Sequence, residues 1–372
     1  MSKFQKLLSN LGLAGLFLSI LFPGEDTFLL RWSVDWIVLV AGAALMMVGF
    51  AFVASPAGKT LSLWIPGIVS FYAVSVILAE LETSTEFKSG FWLLLLGAWL
   101  LGWLFVERFS AIADGPEIAS LIRNIAIPAI FGLWLLLGWE VVVRGFGIPQ
   151  VLLPPPSMIA ARFAASTSIL WADFKQTFLQ AVLIGYFIGC GSGFLIAILI
   201  DRSPFLRRGL MPIGNLVSAL PIIGVAPIMV MWFGFDWQSK AAVVVVMTFF
   251  PMLVNTLAGL SAASTMQLDL MKTYGASYGQ TLFKLRLPEA LPFIFNALKI
   301  NSTLALIGAI VAEFFGTPIV GMGFRISTEV GRMNVDMVWA EIAVAAVAGS
   351  AFYGVIALIE RRLTFWHPSI RA

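Results

Sequence analysis

Side chains able to make and break bonds are scarce in this sequence. It holds one histidine, His367, in its last residues, and one cysteine, Cys190, inside an apolar run. A histidine metal site or a nucleophile–histidine–acid triad within membrane-length segments is therefore excluded. A single thiol makes no internal disulfide and reads as a small buried apolar group. The sequence contains no G-x-x-x-x-G-K-[ST] phosphate loop, so the chain does not hydrolyse ATP by that route. Three carboxylates, Glu140, Glu313 and Glu341, fall inside apolar runs, each near the end of its run that the expected topology turns outward. A carboxylate is costly in hydrocarbon, so each should face the bundle interior, water or a partner. Glu140 precedes Arg144 by one helical turn, and a local ion pair accounts for it. For Glu313, an outer gate or a substrate contact competes with a hydrogen bond to a neighbouring helix.

The remaining polar signal is mechanical rather than chemical. Residues Asp269 to Pro292 form the longest polar, helix-patterned interruption of the apolar second half. Leu268, Met271 and Tyr274 fall at helical spacing before Gly275, and Tyr278, Leu282 and Leu285 do so after it. Gly275 can stop the first helix, and Ser277 with Gln280 reads as a capping box that starts a second. Leu287-Pro288 should end that second helix, because proline lacks an amide proton and restricts the residue before it. The pattern predicts a helix–turn–helix elbow at the membrane surface, flanked by Lys272, Lys284 and Arg286, that a soluble partner can grip.

These residues resemble the cytoplasmic coupling loop of bacterial binding-protein-dependent ABC importer permeases. Asp269, Gly275, Leu285, Leu287 and Pro288 sit at that loop's offsets, with Ala276 and Ser277 after the glycine. Asp269 stands in place of glutamate, and Leu270 and Met271 in place of two small residues. Further stretches extend the resemblance: Trp134–Glu140, Phe146–Pro149, Leu153–Ser157, Trp232–Phe235 and Phe250–Thr256 are similar to the nitrate/sulfonate/taurine branch. Ala290–Ile294 and Ile307–Gly316 lean toward members that import pyrimidine precursors of thiamine. The resemblance implies an all-α, polytopic type I importer core of six transmembrane helices. It also implies a non-catalytic subunit with three kinds of partner: separate ABC ATPase subunits that bind the ATP, an extracytoplasmic solute-binding protein, and a second copy of the permease. No cofactor of its own and no nucleic acid is implied, and the setting would be the bacterial inner membrane.

Composition agrees with a membrane setting. The 372 residues are 60% hydrophobic and 12% charged, with a mean hydropathy of +0.95. A soluble domain needs a charged skin, whereas a bilayer core takes about 20 apolar residues per helix. The net charge of +3 reads as a cytoplasmic basic excess rather than a nucleic-acid surface. Membrane-length runs are expected at Leu11–Phe22, Trp36–Ala54, Leu61–Ala79 and Phe91–Val106. These make an extra region of about four helices over residues 1–110, with the first run an uncleaved span. The permease core then covers 111–372, with spans near Ile125–Val143, Thr177–Ile200, Leu210–Phe233, Ala241–Ala262, Ile294–Phe315 and Val338–Ile359. The coupling loop occupies 263–292, and basic residues favour a topology with both termini and this loop in the cytoplasm.

Pro212, Pro221, Gly224 and Pro227 interrupt the third of these core spans. Broken helices at membrane depth occur where backbone lines a cavity or is covered by protein, so Pro221 and Gly224 are candidates for the substrate path. Asn255 and Asn301, with Glu313, complete the candidate path set, interhelical hydrogen bonding being their alternative role. An ion-coupled secondary transporter is the rival reading. It would call for midplane carboxylates and inverted repeats.

Overall fold

The computed structural model describes residues 61–83, 89–110, 117–203, 221–316 and 319–366, with isolated positions between 205 and 212. The runs expected at Leu11–Phe22 and Trp36–Ala54, and His367, lie outside the described residues. Among the described residues every regular element is helical. They are α1 (Leu61–Thr83), α2 (Ser89–Ser110), α3 (Glu117–Gly145), α4 (Pro156–Ala165), α5 (Thr167–Arg202), α6 (Ile222–Phe233), α7 (Trp237–Leu260), α8 (Thr265–Thr273), α9 (Tyr278–Glu313), α10 (Met322–Gly331) and α11 (Val335–Leu363). The stretches Asn124–Gly145, Thr167–Arg202, Trp237–Leu260, Tyr278–Glu313 and Val335–Leu363 are long and apolar enough to cross a bilayer. They coincide with five of the six expected core spans. Of the third, the described part is α6, which begins after Pro221.

The chain forms two compact units, Met1–Ser157 and Met158–Ala372. In the first, α1, α2 and α3 pack around Val69, Ala73, Ile77, Ala98, Leu101 and Val141. Close approach is possible because Gly102 leaves room for the Trp134 ring. Glu140 pairs with Arg144 at 2.6 Å, as expected, and also accepts hydrogen bonds from the Ser157 amide and hydroxyl. A cavity of about 560 Å³ runs between these helices, walled by Phe71, Leu78, Phe105 and Trp134 and ending at the Glu140–Arg144 pair.

The second unit is built on α5, α7 and α9. Lipid is as apolar as leucine, so helices here gain from close packing and interhelical hydrogen bonds rather than from leaving water. Gly185, Gly189 and Gly193, one turn apart on α5, lie against the backbone and side chains of α7 from Ala241 to Leu253. Asn301 of α9 donates to the Thr248 carbonyl of α7 at 2.8 Å and to the Cys190 sulfur of α5 at 3.2 Å, joining all three helices. The Lys299–Glu360 ion pair, 2.7 Å, ties α11 to α9.

Helix ends are set by local chemistry. Asp236 accepts from the Trp237 amide to start α7, and Gly234, at φ +83°, ends α6. Contacts order the helices: the C-terminal ends of α5 and α7 meet the start of α9, and their N-terminal ends meet its finish. The unit therefore has an elbow end and an opposite end.

Candidate functional site

The elbow is two capped helices joined by a left-handed turn. Ser264 and Gln267 form a reciprocal capping box at the start of α8. Its C-terminus closes with the Ala276 amide on the Met271 carbonyl (3.0 Å) and the Gly275 amide on the Lys272 carbonyl (2.9 Å). This double bond needs a residue at positive φ, and Gly275 supplies it at +67°. Ser277 and Gln280 form the second box, as the sequence predicts.

The second helix does not end at Leu287-Pro288. It runs unbroken into the membrane as α9, with a π-helical turn at Leu282–Arg286. The Leu287 amide donates to the Leu282 carbonyl, five residues back. A widened turn accommodates the proline ring and its missing donor without breaking the helix. The second limb of the elbow is thus a continuous extension of a membrane helix.

Its surface is divided. Leu268 and Met271 turn partly inward, whereas Met266 (81% exposed), Leu270 (56%) and Tyr274 (81%) form an outward row along α8. Tyr274 therefore belongs to the outer face and not with Leu268 and Met271, because it follows Leu270 by four residues and shares its helical stripe. Asp269 is exposed and pairs with Lys272 at 3.0 Å. Ala276, Leu285, Leu287 and Pro288 are half-buried, and Leu287 packs on the main core cluster.

The base of the elbow carries contacts that its motif does not announce. Arg286 turns inward and holds Asp201, near the end of α5, through two bonds of 2.7 Å. Its Nε donates to the Leu260 carbonyl at the end of α7 (2.8 Å), and the Tyr278 hydroxyl donates to the same Asp201 carboxylate (3.0 Å). The aspartate is the one acid in the run Ile198–Ser203, and an acid at the end of an apolar helix facing a basic elbow was the available signal.

At the opposite end, Glu313 is buried and accepts from the Thr177 hydroxyl (2.8 Å) and the Gly323 amide (2.7 Å). Thr177 accepts from the Met322 amide (2.8 Å), and Asp173 from the Gly321 amide (2.7 Å) and Arg325 (2.9 Å). Three successive amides at the start of α10 are thus held by side chains of α5 and α9. A π-helical segment in α5, Lys175–Val182, carries Thr177. Lys240 is fully buried and donates to the Phe235 carbonyl (2.6 Å). Glu341 is buried beside Asp173, and no donor among the described residues reaches its oxygens. Glu313→Ala strands the Gly323 amide and the Thr177 hydroxyl, at about 1–3 kcal/mol for each unpaired group. Thermal unfolding in detergent should show a clear loss of stability for Glu313→Ala. Glu341→Gln, which adds an amide donor toward Asp173, should show none.

The other candidate path residues lie apart. Pro221 caps α6 and Gly224 sits in its exposed first turn. Asn255 bonds the Pro251 carbonyl one turn back (2.8 Å), and Asn301 is fully buried between helices. Their visible bonds are structural.

An all-helical chain with several apolar spans is a polytopic membrane protein. Residues 181–365 match the family described as "Binding-protein-dependent transport system inner membrane component". The formylaminopyrimidine transport permease protein ThiX of Halalkalibacterium halodurans is 31% identical over 239 residues, 64% of this chain and 95% of that protein. The riboflavin transport system permease protein RibX of Chloroflexus aurantiacus is 30% identical over 260 residues, 68% and 96% respectively. The taurine transport system permease protein TauC of Escherichia coli K12 is 28% identical over 244 residues, 64% and 88%. The chain belongs to this family and is a permease subunit of an ABC transporter.

Proposed function

We propose that this permease forms the substrate path of an importer and takes its power from separate ATPase subunits that grip the α8 elbow. The observation that carries this reading is the elbow itself: an exposed apolar row on α8, joined by the Gly275 turn to the surface extension of α9, where the resemblance puts the family's coupling loop. In this reading Asp269, Gly275, Ala276, Ser277, Leu285, Leu287 and Pro288 shape the coupling loop. The elbow end, with both termini, faces the cytoplasm. ATP would draw two ATPases together, and the elbows would pass that motion into the spans. Such a change requires ATP to favour one permease state over the other in free energy.

The permease domain would comprise 111–372, a length that suits the 239–260 residues shared with ThiX and RibX. Residues 1–110 would then be an added membrane region. A homodimer, with an extracytoplasmic binding protein delivering solute, completes the assembly. The solute would be a small organic or anionic compound. Pyrimidine-like compounds are favoured by the name of ThiX, and sulfonates and taurine follow from the names of other relatives, with nitrate a further candidate from the sequence resemblance.

Uptake measured in competition against these compounds should fall with one class and stop when the partner's ATP site is disabled. Uptake that survives that lesion but collapses with the proton gradient would support ion-coupled transport instead.

A further inference from the structure

We infer that Asp201 is the residue through which movement of the elbow reaches α5, a role that rests on the coupling function proposed above. A single monodentate ion pair fixes a distance and lets the joined parts pivot. Here Arg286 grips both Asp201 oxygens at 2.7 Å, and Tyr278 adds a third donor at 3.0 Å to one of them. Planar bidentate geometry fixes orientation as well as separation. The two donors come from the two ends of the first turns of α9, Tyr278–Arg286, so the carboxylate resists rotation of that segment.

Burial strengthens the joint. The Asp201 and Arg286 side chains are 4% and 17% exposed, so water and salt compete poorly for them. Arg286 also holds the α7 carbonyl of Leu260, so one guanidinium joins the ends of α5 and α7 to α9. By contrast, among the described residues α8 is tied to α9 by a long polar bond, Gln267 to Glu289 at 3.3 Å. The α8 limb can therefore be pulled by a partner, while the α9 limb is fastened to α5.

The alternative is that the pair only holds the fold together. Spin-label distances separate the two roles. In a Cys190→Ser background, one pair of labels at Leu199 and Leu358, both exposed, reports α5 against α11. A second pair at Lys272, exposed on α8 but off the Met266–Leu270–Tyr274 row, and Leu358 reports the elbow against α11. The measurement uses the full permease with its ATPase, without nucleotide and then trapped with ATP.

In the wild-type background both distances should change on trapping. With Asp201→Asn the elbow distance should still change while the α5 change is lost, and Asp201→Glu, which keeps the carboxylate, should restore it. An α5 change in Asp201→Asn equal to that of wild type would overturn the inference. So would loss of both changes together with loss of bound ATPase, which marks a merely structural pair. Wild-type permease that holds no ATPase would remove the coupling function and this inference with it.

Discussion

Gly189→Leu should leave little folded permease. In α5 the glycine faces the Thr248 hydroxyl and the backbone of Val245 in α7, and a Cβ there would overlap Thr248. Neither neighbour can retreat cheaply. Thr248 bonds the Val244 carbonyl and is fully buried, and Val245 presents main chain. A leucine would force α5 and α7 apart along the Gly185–Gly189–Gly193 row and break the Asn301 bonds that join both to α9. Overpacking costs about 1–3 kcal/mol, and more where backbone must move, so this variant should sit at or above the top of that range. Monodisperse protein recovered in detergent, with its unfolding temperature, is the measurement. Gly191→Leu is the control, since that glycine meets no atom within 4 Å and should be tolerated. Wild-type recovery of both variants would show that the close α5–α7 contact is not a source of stability.

The largest functional effect is expected from Gly275→Asp, which should insert normally and lose its ATPase. No atom lies within 4 Å of a Cβ at this position, so the change introduces no clash. The cost lies in the backbone. A φ of +67° costs an ordinary L-residue about 1–2 kcal/mol, less for aspartate than for most. A carboxylate at the C-terminal end of α8 also opposes the helix dipole, at about 0.3–1 kcal/mol. Relaxing the turn would release the Schellman closure and re-aim Met266, Leu270 and Tyr274. Together these should lower ATPase co-purification by roughly tenfold or more, about 1.4 kcal/mol per decade. An unchanged yield with unchanged transport would refute it.

How much of this was legible in the sequence depends on the range of the interactions involved. The elbow is local: caps, a glycine turn and a polar run within one short stretch, and its two capping partners at Ser277 and Gln280 were readable from spacing alone. Pro288 misled because proline's local rule was overridden by a π-helical turn, an adjustment that no sequence spacing announces. Five core spans were legible because apolar length decides them. The Glu313 cluster and the Asp201–Arg286 joint were not, since each unites residues far apart in the chain. Asp173, Arg325 and the Gly321–Gly323 amides look like ordinary loop features until α5, α9 and α10 are brought together. The α5 glycine row was the missed signal that could have been read, as small residues one turn apart mark close helix contacts in membranes.

Coupling requires the elbow to lie on the cytoplasmic face of the membrane and to be covered there by the ATPase. Tyr274→Cys in a Cys190→Ser background places a single reactive thiol at its tip. A membrane-impermeant thiol reagent should label it in inside-out vesicles, fail to label it in intact cells, and be blocked when purified ATPase is added. Labelling from the outside of intact cells, or labelling that the ATPase leaves unchanged, would contradict the account.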